Sequence, residues 1–84
     1  MKNKIIVELI IPEIEEKYSL YIPVTKKIGE IIPLLAKAVA DFSYGSYTYN
    51  EKTALYNAIT TERYEPNDMI INTDIRNGTQ LILL

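Results

Sequence analysis

The stretch Thr25 to Phe42, TKKIGEIIPLLAKAVADF, limits what this chain can fold into more than any other, because it is the one long segment with helical periodicity. Ile28, Ile31, Leu35, Val39 and Phe42 recur at spacings of three and four and so form one apolar stripe. The flanking segments alternate between apolar and polar or carry turn residues. A lone amphipathic helix must bury its stripe, and the apolar surface long enough to receive it is a sheet made from those flanks. The helix start is awkward: Gly29 and Pro33 both lie under the stripe, and Pro33 has no N–H to bond back to Gly29. Either regular helix begins near Gly29, with Pro33 in or just beyond the first turn, or the helix kinks at Pro33. The first is favoured, since first-turn donors lack helical partners in any case.

On the N-terminal side, Lys4 to Ile11 alternates. Ile5, Val7, Leu9 and Ile11 share one face and Lys4, Ile6, Glu8 and Ile10 the other, so the uncharged odd face turns inward. Pro12 stops this strand, PEIEEK makes a short polar connection, and Tyr18, Leu20 and Ile22 form the inward face of a second strand ending at Pro23. Strands joined so briefly pair antiparallel. After the helix, Ser43 to Asn50 holds three tyrosines among small polar residues, which reads as a loop folding some rings over the helix end. Lys52 to Thr60 reads as a third strand with Leu55 inward and Tyr56 outward. Thr61 to Asp68 is a polar turn region, and Met69-Ile70-Ile71 is a brief strand or a single turn. Asn77-Gly78 is a tight turn into a last strand, Thr79 to Leu84. That strand is apolar on both faces and belongs in the middle of the sheet beside the first strand.

Composition excludes several kinds of chemistry. The chain has 84 residues, expected to form one domain over 1–84 with a small core, and no cysteine, so packing rather than disulfides must hold it together. With neither histidine nor cysteine, thiolate and histidine-based nucleophiles and most zinc sites are excluded, and its three glycines are isolated, so no phosphate loop exists. Glu13, Glu15 and Glu16 sit in a polar turn with nothing to raise a carboxyl pKa. No enzyme and no cofactor is expected. A net charge of −2 without a basic cluster argues against nucleic acid, and no apolar run reaches the roughly 18 residues of a spanning helix. The start, MKNKIIVELIIPEIEE, alternates and leads into acidic residues without a small-residue cleavage site. It reads as the first strand of a cytoplasmic protein, with no direct insertion into a membrane.

What remains is surface. Strand parity puts Ile6, Ile10, Tyr56, Ile82 and Leu84 on the sheet face opposite the helix, where a one-helix fold supplies no covering layer. That apolar patch is the candidate protein-binding site, for a partner or for a homodimer, unless loops cover part of it.

The order hairpin, helix, strand, irregular chain and central last strand resembles the β-grasp fold of ubiquitin-like domains. Ile22-Pro23-Val24-Thr25-Lys26-Lys27-Ile28-Gly29-Glu30-Ile31 is similar to the end of their second strand, the linker and the first helical turn. Ile70 to Asp74 and Ile75 to Leu83 are similar to their C-terminal signature. The resemblance covers nearly the whole chain. It implies an α+β fold with one helix on a mixed four- or five-stranded sheet, and specifies function poorly. Within that superfamily the chain looks most like the YukD-like proteins encoded with type VII (WXG100, ESX-like) secretion systems of Gram-positive bacteria, through its length and its IPVTKKIGEIIPLLAKAV segment. Ile32-Pro33-Leu34 also resembles a segment of the ubiquitin-like domains on EccD-type membrane components. The implied function is a non-enzymatic cytosolic interaction module, an accessory or regulator binding a secretion-system component. Two alternatives stay open: a sulfur-carrier or modifier protein, and the ubiquitin-like domain of a larger EccD-type membrane protein. Conjugation needs a flexible tail ending in Gly-Gly, whereas here the sequence ends in Leu84 and all three glycines are internal, so the chain as written is expected not to be conjugated. Adjacent genes for WXG100 proteins and an FtsK/SpoIIIE-type ATPase would separate the stand-alone protein from the excised domain.

Overall fold

In the computed structural model, which describes residues 3–84, the first strand β1 spans Lys4–Ile11, the limits its alternation predicts. Val7, Leu9 and Ile11 are fully buried, while Ile6 and Glu8 lie on the opposite face. Pro12–Ile14 forms a single 3-10 turn, after which Glu15 adopts a left-handed conformation (φ 53°) that reverses the chain. The second strand β2, Glu16–Pro23, runs back antiparallel to β1, with Ile5 opposite Ile22 and Leu9 opposite Tyr18.

The helix α1 spans Ile28–Phe42, so Thr25 to Lys27 stay outside it and Pro33 falls in the second turn. Its first donors are satisfied from elsewhere. Ile28 and Gly29 donate their N–H groups to the carbonyls of Asp68 and Pro66, each at 2.9 Å, and Lys27 donates its own to the Glu30 carboxylate at 3.0 Å. The segment 66–68 therefore acts as a backbone strap across the helix start. Gly29 permits this approach, because a Cβ there would lie 3.1 Å from the Pro66 carbonyl oxygen. Of the predicted stripe, Ile28, Ile31, Leu35 and Val39 are buried, joined by Ile32 and Ala36. Phe42 departs from it: it is half exposed, and its ring tilts against Tyr18 of β2 at a centroid distance of 5.1 Å.

Of the loop tyrosines after α1, Tyr47 is buried in the core, Tyr44 is almost wholly exposed and Tyr49 is intermediate between them. The third strand β3 is shorter than the sequence predicts, only Leu55–Asn57. The Asn57 side-chain oxygen accepts hydrogen bonds from the N–H groups of Ile59 (2.8 Å) and Thr60 (3.0 Å), and Thr61 has a φ of 64°. That side-chain turn competes with the ladder and ends it. Met69-Ile70-Ile71 resolves as a turn, a 3-10 segment over Ile70–Asn72. The last strand β4, Gln80–Leu83, lies between β1 and β3 in the order β2-β1-β4-β3, parallel to β1 and antiparallel to β3. One helix on a mixed four-stranded sheet is the β-grasp arrangement. Leu9, Leu55, Leu81 and Leu83 form the sheet side of the core and are fully buried.

Candidate functional site

Register decides how the five outward residues are distributed. Ile82 pairs with Ile10 on one side and with Tyr56 on the other, so these three form one cross-strand row. Side chains directly opposite on one sheet face lie about 5 Å apart at Cβ, which makes the row continuous. All three are partly buried, and Leu84, two residues beyond Ile82, is 60% exposed. The row ends on a cation at each side by register: Lys17 is opposite Ile10 on β2, and an isolated bridge sets Arg63 beside Tyr56.

Ile6 stands apart from the other four. The next row along the strands is polar, with Glu8 between Ser19 and Gln80. The Glu8 carboxylate and the Lys17 ammonium make an ion pair at 3.4 Å on the same face. The Lys17 side chain is 54% exposed and the Glu8 side chain 35%, so the pair adds little stability. Beyond it, Ile6 pairs with Tyr21, which is 55% exposed. The face therefore carries a four-residue apolar group at one end and an Ile6 and Tyr21 pair at the other. Tyr21 was legible from strand parity, since Leu20 and Ile22 face inward. The position of Arg63 was not, because the bridge joins a segment that reads as polar turn.

The support behind Tyr56 is a side-chain network. Asn57 donates to Glu62 through its backbone N–H, and Tyr64 returns a backbone bond to Leu55. The Asn57 side-chain amide donates to the Tyr64 hydroxyl (3.0 Å), which in turn donates to the Asp74 carboxylate (2.6 Å). Burial, then the hydrogen bond donated to Asp74, push the Tyr64 phenol up to about 12. The network fixes residues 62–64 along the outer side of β3. Among the described residues, no group of acidic side chains converges to hold a metal ion, and no helix is long and apolar enough to cross a membrane.

No protein-family model matches the chain, and no curated protein matches it in sequence. Solved structures do share its fold. The EccD5 ubiquitin-like domain from Mycobacterium xenopi superposes with a TM-score of 0.79 at 14% identity, over 96% of this chain and 92% of that one. The ubiquitin-like domain of the Mycobacterium tuberculosis type VII secretion protein EccD1 gives 0.76 at 10% identity, over 96% and 97%. A chain of the ESX-5 inner membrane complex gives 0.81 at 11% identity, over 98% of this chain but only 21% of that longer one. At these identities the likeness is one of fold, and the fold is ubiquitin-like.

Proposed function

We propose that this chain is a ubiquitin-like protein-interaction domain, non-enzymatic and cytoplasmic, that serves a type VII secretion system by docking a system component on the outer face of its sheet. The observation that carries the reading is the continuous row Ile10, Ile82 and Tyr56, with Leu84 beside it, on a face that no second layer covers among the described residues. Apolar side chains in such a row, rimmed by Lys17 and Arg63, have the anatomy of an interface core with a polar rim. Secretion as the process is supported by the fold shared with EccD ubiquitin-like domains. A stand-alone YukD-like protein fits this reading.

A second form of the reading makes the chain the ubiquitin-like domain of a larger membrane component. It is favoured by the ESX-5 match, in which a chain of this size corresponds to about a fifth of a longer one. Both forms dock through the same face.

The test is a double substitution, Tyr56→Glu with Ile82→Lys, used as bait in the native cell beside the unaltered chain. The account predicts loss of the captured secretion component with a thermal midpoint within a few degrees of the parent. Undiminished capture by the folded double variant contradicts the docking face, and capture of components unrelated to secretion contradicts the process.

A further inference from the structure

The two edges of the sheet are finished differently. Along β3, residues 62–64 pair with the strand through the bonds of Asn57 to Glu62 and of Tyr64 to Leu55. Along β2 nothing pairs: it is the terminal strand of the sheet, its one neighbour is β1, and among the described residues no bridge or backbone hydrogen bond reaches its outer side. The bond from Val24 N–H to the Asn3 carbonyl sets the alternation of the β1·β2 ladder. Residues 16, 18, 20 and 22 spend their backbone groups on β1, and Lys17, Ser19 and Tyr21 turn theirs outward. Pro23 has no donor, and Glu15 is left-handed, so the open edge is these three residues with a stop at either end. An unpaired edge of this kind is a template for another strand.

From this edge we infer that β2 is a self-association surface on which a second copy of the chain adds its own β2, antiparallel, about a two-fold axis at Ser19. The pattern is its own complement. With Ser19 opposite Ser19, Lys17 falls opposite the second copy's Tyr21 and Tyr21 opposite its Lys17, and all three outward donors and acceptors on each chain are used. No other two-fold register uses all three. Charge selects the same one: Lys17 is the sole charged residue among the three, and here it meets a tyrosine ring, whereas a register centred on Lys17 would oppose two ammonium groups. The helix side agrees. A shallow, open depression lined by Lys17, Tyr18, Ser19, Asp41, Phe42 and Tyr44 lies at this edge. In the Ser19-centred register the second copy's Leu20 falls beside Tyr18 on that side, at the half-exposed Phe42 ring. The result is an eight-stranded sheet with both outer apolar rows free, a bivalent form of the domain. The inference does not rest on the docking face or on secretion.

The test is sedimentation across the micromolar to millimolar range, joined to amide hydrogen exchange by NMR. The unaltered chain is expected to approach twice its 9.6 kDa at high concentration, with the Lys17, Ser19 and Tyr21 amides becoming protected as it does. Ser19→Lys and Ser19→Glu each set like charges across the axis, so each alone is expected to weaken the dimer about tenfold or more. Mixing the two is expected to restore it, with both folded by circular dichroism. A chain that stays monomeric throughout overturns the inference. So does a dimer in which those three amides exchange freely, or a mixture of the charge variants no stronger than either alone.

Discussion

Gly29 shows how one missing side chain fixes the start of the helix. Its N–H reaches the Pro66 carbonyl at 2.9 Å, and a Cβ would lie 3.1 Å from that oxygen and 3.3 Å from the Pro66 Cβ. In an unconstrained helix, replacing glycine by alanine stabilises by about 1 kcal/mol through backbone entropy and propensity. Here the added methyl must displace the Pro66 carbonyl by a few tenths of an ångström, which strains the strap that satisfies the first donors of α1. Gly29→Ala is therefore expected to lower stability by about 1 kcal/mol, read as a reduced urea midpoint at unchanged slope. A gain would show that residues 66–68 yield freely. The sequence carries Gly29 and Pro33 as an apparent conflict with the stripe. The conflict is local only, because the resolution lies in Asp68 and Pro66, more than thirty residues away, and no periodicity reports it.

At the scale of elements, what was legible is what periodicity governs. The limits of β1, the inward parity of β2, the buried stripe of α1 and the central place of β4 all follow from apolar spacing. What was illegible is set by side chains competing with the backbone or by contacts at a distance. Asn57 ends β3 three residues sooner than its composition implies, and Phe42 continues the stripe yet stays half exposed, its ring set against Tyr18 of the terminal strand β2. The same holds for the proposed docking face, where parity names Ile6 with the other four but register separates it by Glu8 and Gln80. Segment 62–64 gives a test at this scale. Tyr64→Phe removes both bonds of the Asn57, Tyr64 and Asp74 network and is expected to cost about 1–2 kcal/mol at neutral pH. The folded Tyr64 pKa of about 12 lies above the ordinary 10.0, so the neutral phenol is the form that folding favours. Its contribution is complete below pH 10 and disappears as pH rises through 12. The parent should lose more stability than the phenylalanine variant over that window in parallel alkaline denaturations. Equal losses would mean that the network does not hold the phenol neutral.

At the scale of the whole molecule, and among the described residues, the sheet keeps an uncovered face with an apolar row at its centre and one open strand edge. The buried stripe of α1 is occupied in holding the sheet, and the outer edge of β3 is taken by residues 62–64. The central claim of the proposed function is that a partner is recognised on the sheet face. The most direct measurement is photo-crosslinking in the native cell, with a photoreactive residue placed in turn at Tyr56 and at Leu34. Leu34 is equally apolar and 53% exposed, but it projects from α1. The account predicts a crosslink to a type VII secretion component from position 56 and none from position 34. A crosslink from 34 alone, or none from 56, contradicts it.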